Sequence, residues 1–238
     1  MQYRLFNIGN THVVIVDLLD DGTFSAVQTV STDQFDPEGW LSSNMGVVSV
    51  VPRWEEYFRS KGAFVLDRNS CSSVISLEKM QTPETVGADR IANAAALVST
   101  GKLPAVCIDC GTAITFEFVD SDQCLCGGAI LPGRKLLRQA LHDHTARLPL
   151  VPFPEQDPAF PGRNTVEAIQ IGTDLGAVGA VREILQGLQE KIPGIRVVFC
   201  GGDGGYFHSF FSETELYGSD FTLKGLAHAM RLCRGIHD

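Results

Sequence analysis

The chain has 238 residues, 44% of them hydrophobic and 20% charged, so it can bury a core and falls outside the disordered classes. Its length suits one large domain or two small ones. The formal charge of −9 and the lack of any Lys or Arg run argue against a nucleic-acid backbone as the main ligand, but not against a nucleotide, because backbone N–H nests bind phosphate on acidic proteins too.

Tyr3 to Asn7 and His12 to Leu18 read as two strands joined by Ile8-Gly9-Asn10-Thr11, and Leu19 to Gly22 turns into a third strand over Thr23 to Thr29. Residues 46–52 and 63–66 are short apolar runs with strand character, and Ala-rich 90–99 predicts a helix. The pattern then restarts. Residues 104–109 and 113–119 read as a second strand–turn–strand, followed by a strand ending near Ile130. Helices are predicted over 135–146, 166–189 and 222–233, with a buried strand at 196–200. The five Pro between Leu148 and Gly162 predict a surface excursion.

Met1 to Phe6 has no charged-then-apolar leader pattern, and no apolar run approaches 18 residues, so neither signal peptide nor membrane span is expected. Seven Cys without a secretory pattern predict reduced thiols in a cytoplasm. Cys107 and Cys110 stand three apart on a strand, facing opposite sides, and this argues against a shared metal.

Asn7-Ile8-Gly9-Asn10-Thr11 and Asp109-Cys110-Gly111-Thr112-Ala113 occupy equivalent places in the two units. This repeat predicts two similar α/β halves, 1–103 and 104–238, whose hairpin turns flank one cleft. In the first turn Gly9 permits close backbone approach, and Asn10 and Thr11 add donors for a phosphate. By itself a Gly-Asn pair is ordinarily only a turn. In the second, Asp109 either caps its own turn or holds a cation beside a polyphosphate; the repeat favours the phosphate reading. Gly87-Ala88-Asp89-Arg90 precedes a helix. Asp89 is either an N-cap or a general base, and Arg90 either a surface residue or a carboxylate clamp. Four glycines among residues 201–205 follow an apolar strand and suit either a nucleoside pocket or a loop.

Taken together and in order, these segments resemble the type III pantothenate kinases. They are GNT at 9–11, VGADRIANA at 86–94, IDCGTAITFEF at 108–118, GGAILPG at 127–133, NTVEAIQIG at 164–172, CGG at 200–202 and FTLKGL at 221–226. The resemblance implies two ribonuclease-H-like α/β domains, the duplicated actin-like ATPase fold, around an active-site cleft. It implies ATP-dependent phosphorylation of pantothenate, the first step to coenzyme A, with Asp89 as proton acceptor. Gly87, Ala88, Arg90 and Thr165 would contact pantothenate. Asn7, Ile8, Gly9, Asn10, Thr11, His12, Val13 and Val14 would hold the ATP phosphates, with Gly111, Thr112, Gly201 and Gly202 also at the nucleotide. Asp109 would bind K+ or NH4+, with Mg2+ as a further cofactor. A cytoplasmic homodimer is implied, and Gly172, Gly176 and Gly179 would allow close packing of the long helix, across that dimer or within the core.

Two positions depart from the family pattern. Asn7 stands where the first turn begins with Asp, so a charge that helps hold hydrated magnesium is missing. Met80 falls near the place of a pocket aromatic, usually Tyr, and fills volume without a hydroxyl. Besides an active pantothenate kinase, these suit a weakened nucleotide-binding paralogue or regulator, or a kinase for another hydroxylated acid.

Overall fold

The computed structural model describes residues 2–68, 70, 73–154 and 160–235. The first hairpin forms as its alternation predicts: β1 (Tyr3–Ile8) pairs antiparallel with β2 (His12–Leu18). The third strand comes later than expected, as β3 (Gln28–Ser31), because Ser25 ties back to Asp17 and interrupts pairing after the Leu18–Phe24 bridge. β4 (Met45–Ser49) and β5 (Phe64–Val65) join parallel on the other side of β1, giving the order β3-β2-β1-β4-β5.

The apolar run at 46–52 ends short of its predicted limit. The Ser49 hydroxyl bonds the backbone of Val51, turning the chain, and Pro52 opens α1 (Pro52–Ser60). Proline suits the first helical position because no N–H is needed there. This helix was not expected from its mixed composition. It buries Phe58 against Phe6 and Phe35 on the outer face of the sheet.

The second half repeats the first. Leu103-Pro104, the expected boundary, lies directly before β6 (Ala105–Cys110). β6 pairs antiparallel with β7 (Ala113–Val119), and β7 with β8 (Leu125–Gly127) and β9 (Ile130–Pro132), so the one strand expected near Ile130 is two. β10 (Arg196–Cys200) and β11 (Glu215–Leu216) add parallel beyond β6. The order β8-β7-β6-β10-β11 mirrors that of the first sheet. These are the two similar α/β halves that the repeat predicts, with the ribonuclease-H-like order that the family resemblance implies.

Helices complete five layers. α1 covers the first sheet outside. α2 (Ala88–Ser99) and α6 (Phe221–Arg234) lie between the sheets. Outside the second sheet pack the long α4 (Thr165–Lys191) and short α5 (Gly204–His208), with α3 (Arg134–Asp143) against α4. Strand alternation sorts the side chains. Leu5, Ala105 and Cys107 enter the central core, while Phe6, Ile8, Val106, Ile108 and Cys110 enter the two outer ones. Among the described residues no helix is long and apolar enough to cross a membrane.

α2 and α6 approach to backbone contact at Gly225. A Cβ there would overlap the Ala92 carbonyl, so any other residue forces the helices apart. Gly225→Ala should destabilise the fold by about 1–3 kcal/mol through overpacking. Gly187→Ala, in open space on α4, should instead stabilise it by about 0.5–1 kcal/mol. Urea denaturation followed by circular dichroism measures both.

Candidate active site

The pleat that buries Leu5 also aims Asn7 inward, at the end of β1 where the central helices no longer fill the gap. The pleat that buries Cys107 does the same for Asp109 at the end of β6. The two turns that follow meet across a cleft of about 450 Å³: the Thr11 and Thr112 hydroxyls are hydrogen-bonded at 2.8 Å. Each turn is closed by its own backbone bond, Gly9 N–H to the His12 carbonyl and Gly111 N–H to the Ala113 carbonyl, both 2.9 Å. The second turn is pinned from behind as well. Gly133 N–H donates to the Thr112 carbonyl at 2.9 Å, and any side chain at 133 would strike the carbonyls of Gly111 and Thr112. Gly201 closes the floor. Its φ is +84°, and a Cβ would collide with the Asp109 carboxylate and the Cys110 carbonyl.

Asp89 faces the same cleft from the first turn of α2. It is not the N-cap; Gly87 holds that position. A Cβ on Gly87 would press on the Asp89 carboxylate, whose Oδ1 accepts the Arg90 N–H at 2.8 Å. Burial raises the Asp89 pKa above the usual carboxylate range, against the pull of Arg90. Burial likewise pushes Asp109 up to about 6, opposed by a hydrogen bond from Asn93 and reinforced by the charge of Asp89.

Beneath these carboxylates lies a polar chain within the central layer. Asn93 sits one turn after Asp89 on the same helix face. Its Nδ2 donates to Asp109 Oδ2 at 3.0 Å and to Glu117 Oε2 at 3.5 Å, and its Oδ1 accepts from the Thr222 hydroxyl at 2.8 Å. Glu117 is fully buried and paired with Arg90 at 2.9 Å; burial raises its pKa against that attraction. Arg90 also donates to the Phe116 carbonyl at 3.1 Å.

The cleft gathers Asn7, Gly9, Asn10, Thr11, His12 and Val14 from the first hairpin with Gly111 and Thr112 from the second. Asp89, Asp109, Gly201 and Gly202 join them. Other predicted residues lie apart from the cleft lining. Ile8 and Val13 are buried in the outer core of the first half. Met80 and Ala88 pack on the central core, and the Arg90 guanidinium is directed to Glu117. Thr165 is exposed at the start of α4, after Asn164, which caps the helix by accepting the Glu167 N–H at 2.9 Å.

Several residues on the cleft wall or beneath it were not anticipated. Asn93 was findable, since it follows Asp89 at helical spacing. Thr222, Lys135 and Asp203 carry no separate sequence signal. Phe153 comes from the Pro-rich stretch, which is more than a surface excursion: Val151 is buried, and Phe153 lines the cleft while covering Arg134. Arg134 stacks on the Tyr206 ring at 3.5 Å and bonds Asp174 at 2.7 Å, with Asp203 at 3.6 Å. Residues 155–159 of that stretch lie outside the described residues.

The sequence model of the type III pantothenate kinase family matches residues 5–187. A type III pantothenate kinase of Akkermansia muciniphila is 32% identical over 242 residues, covering 98% of this chain and 99% of that one. One from Methylacidiphilum infernorum is 37% identical over 147 residues, covering 60% of this chain and 54% of its own length. A third, from Rhodospirillum rubrum, is 36% identical over 148 residues, covering 62% and 57%. The chain thus spans little more than half of these last two. Among solved structures, a conserved Campylobacter jejuni protein described as a Baf family transcriptional activator aligns with a TM-score of 0.66 at 20% identity, covering 98% of this chain and 100% of that one. The activator of 2-hydroxyisocaproyl-CoA dehydratase from Clostridium difficile, with bound ADPNP, aligns at 0.52 and 14%, covering 100% and 99%. These two likenesses concern the fold.

A raised carboxyl pKa means that ionisation works against folding. Stability contributed by the protonated Asp109 is complete below its ordinary pKa near 4 and is lost as pH rises through about 6. Asp109→Asn should therefore be more stable than wild type at pH 7.5, by roughly 1–2 kcal/mol after screening at the open cleft edge. The difference should vanish near pH 4. Thermal melts at both pH values check this, and an equal or lower melting temperature at pH 7.5 contradicts it.

Proposed function

The chain belongs to the type III pantothenate kinase family, and from that premise we propose that it transfers the γ-phosphoryl group of ATP to the primary hydroxyl of pantothenate. The observation that carries the reading is the meeting of two matching turns over Asp89 and Asp109 in one cleft. Phosphoryl transfer asks mainly for positioning and for stabilisation of charge. Backbone N–H groups and the Thr11 and Thr112 hydroxyls offer the polyphosphate donors from both sides. Asp89 accepts the hydroxyl proton as that oxygen attacks the γ-phosphorus; the bond to the β,γ-bridging oxygen breaks, and ADP leaves with that electron pair. Its raised pKa brings the base closer to neutral pH, where a proton acceptor works best.

The donor set fits a cation brought in with the nucleotide better than an all-protein cage. Magnesium needs only one or two carboxylates when phosphates and waters complete its shell. Asp109 supplies such oxygens on the cleft wall, and no group of three or more ligating side chains exists among the described residues. Bound there, Mg2+ and a monovalent K+ or NH4+ would neutralise phosphate charge, with Asp109 as the monovalent ligand. Gly87, Ala88, Arg90, Met80 and Thr165 form the pantothenate side in this reading. Arg90 retains free N–H donors beyond its bonds to Glu117 and Phe116. A cytoplasmic homodimer is part of the same proposal. Open space beside Gly172, Gly176 and Gly179, with exposed Val166 and Leu175 on the same helix, supports close packing of a second copy there.

Asn7 favours a second reading, a nucleotide-binding regulator with little or no transfer. ADP release measured with ATP, Mg2+, K+ and pantothenate separates the two. Turnover in wild type supports the kinase. No turnover in wild type, with turnover gained in Asn7→Asp, supports the regulator. Turnover only with another hydroxylated acid would reassign the acceptor. In the kinase reading, Asp89→Asn should lower kcat by at least about 10²-fold while nucleotide affinity changes little. The acid limb of the kcat profile should lie above the usual carboxylate range. Undiminished activity in Asp89→Asn removes it as the base.

A further inference from the structure

The cleft has an unusual charge balance for a polyphosphate site. Three carboxylates line it, Asp89, Asp109 and Asp203, and Lys135 is the one Lys or Arg side chain on its wall among the described residues. Arg134, the residue before it, is committed to Asp174 and Asp203 and stacked between Phe153 and Tyr206. Lys135 is exposed and makes no hydrogen bond or ion pair among the described residues.

Its placement is constrained although its tip is free. Lys135 is the second residue of α3, and this helix is capped by Gly133, whose N–H is bonded to the Thr112 carbonyl of the second turn. The ion pairs of Arg134 and Arg138 to Asp174 hold the same helix turn onto α4. The lysine therefore stands on a rigid base beside the turn at 111–112, with a flexible stem long enough to follow a ligand. The first turn of α3 carries no acidic side chain, so its N-terminal dipole also favours an anion there.

We propose that Lys135 is a further nucleotide-binding residue, whose ammonium meets the β- and γ-phosphates directly. This rests on the nucleotide-cleft reading above. It deepens that reading by naming a source of positive charge that belongs to the protein. Where Asn7 removes an acidic anchor for a hydrated cation, Lys135 answers phosphate charge without one.

Binding of ATP, ADP and AMP to the whole protein, measured by titration calorimetry without pantothenate, tests the proposal. Lys135→Ala should weaken ATP by tenfold or more, ADP by less, and AMP hardly at all. Lys135→Arg should recover most of the loss. Lys191→Ala, at the far end of α4, removes the same charge away from the cleft and should leave all three affinities unchanged. A general loss of folding or of net charge would lower the three nucleotides alike and would overturn the proposal. So would unchanged ATP affinity in Lys135→Ala. Because no acceptor is present, failure to phosphorylate pantothenate leaves this test intact; wild type that binds no ATP at all sinks both readings.

Discussion

The approach of α2 to α6 governs everything else in this molecule. At Gly225 the two helices touch through backbone, and this contact sets the separation of the two sheets. Were the helices a side chain's width further apart, the hydroxyls of Thr11 and Thr112 would part, and the two turns would be separate loops on separate sheets. A site made by duplication needs such a spacer, because neither hairpin alone surrounds a ligand.

The same central layer stores an electrostatic burden. Asp89, Asp109 and Glu117 lie close together, and Arg90 offsets the charge of Glu117 and Asp89. Burying carboxylates opposes folding unless hydrogen bonds and opposite charge offset it. Asn93 does part of this, giving its amide to two carboxylates at once while Thr222 fixes which way the amide points. That leaves Asp109 under-neutralised where the cleft opens, a state which a cation or an ammonium would relieve. Stability is thus lower at the place where charge is held ready.

Much of this was legible in the sequence, and the reasons are physical. The repeat could be read because a strand's period of two is simple: Leu5 with Asn7, and Cys107 with Asp109, announce one apolar face ending in a polar tip. Three of the four parallel additions, β4, β5 and β10, follow from short apolar runs, whereas β11 is only Glu215–Leu216 and carries no such run. Other parts could not be read. α1 is hidden because Arg53, Glu55 and Glu56 mask its one buried anchor, Phe58. Asp89 could be taken for a helix cap, since the cap falls on Gly87 only once the chain is folded. The role of Phe153 depends on a Pro-rich path across Arg134, which no local pattern encodes. Lys135 reads as an ordinary helix-surface lysine until the turn at Thr112 is seen beside it.

The central layer also has a temporal meaning. The inner face of the first sheet is completed by α6, which lies far downstream of β1 in the chain. During synthesis, Leu5, Val16 and Val48 emerge long before their cover does, so the early half waits with an apolar face bare. A helper that shelters nascent hydrophobic surface would find its target there, and a ribosome stalled before residue 221 would release a sticky fragment instead of a small working domain.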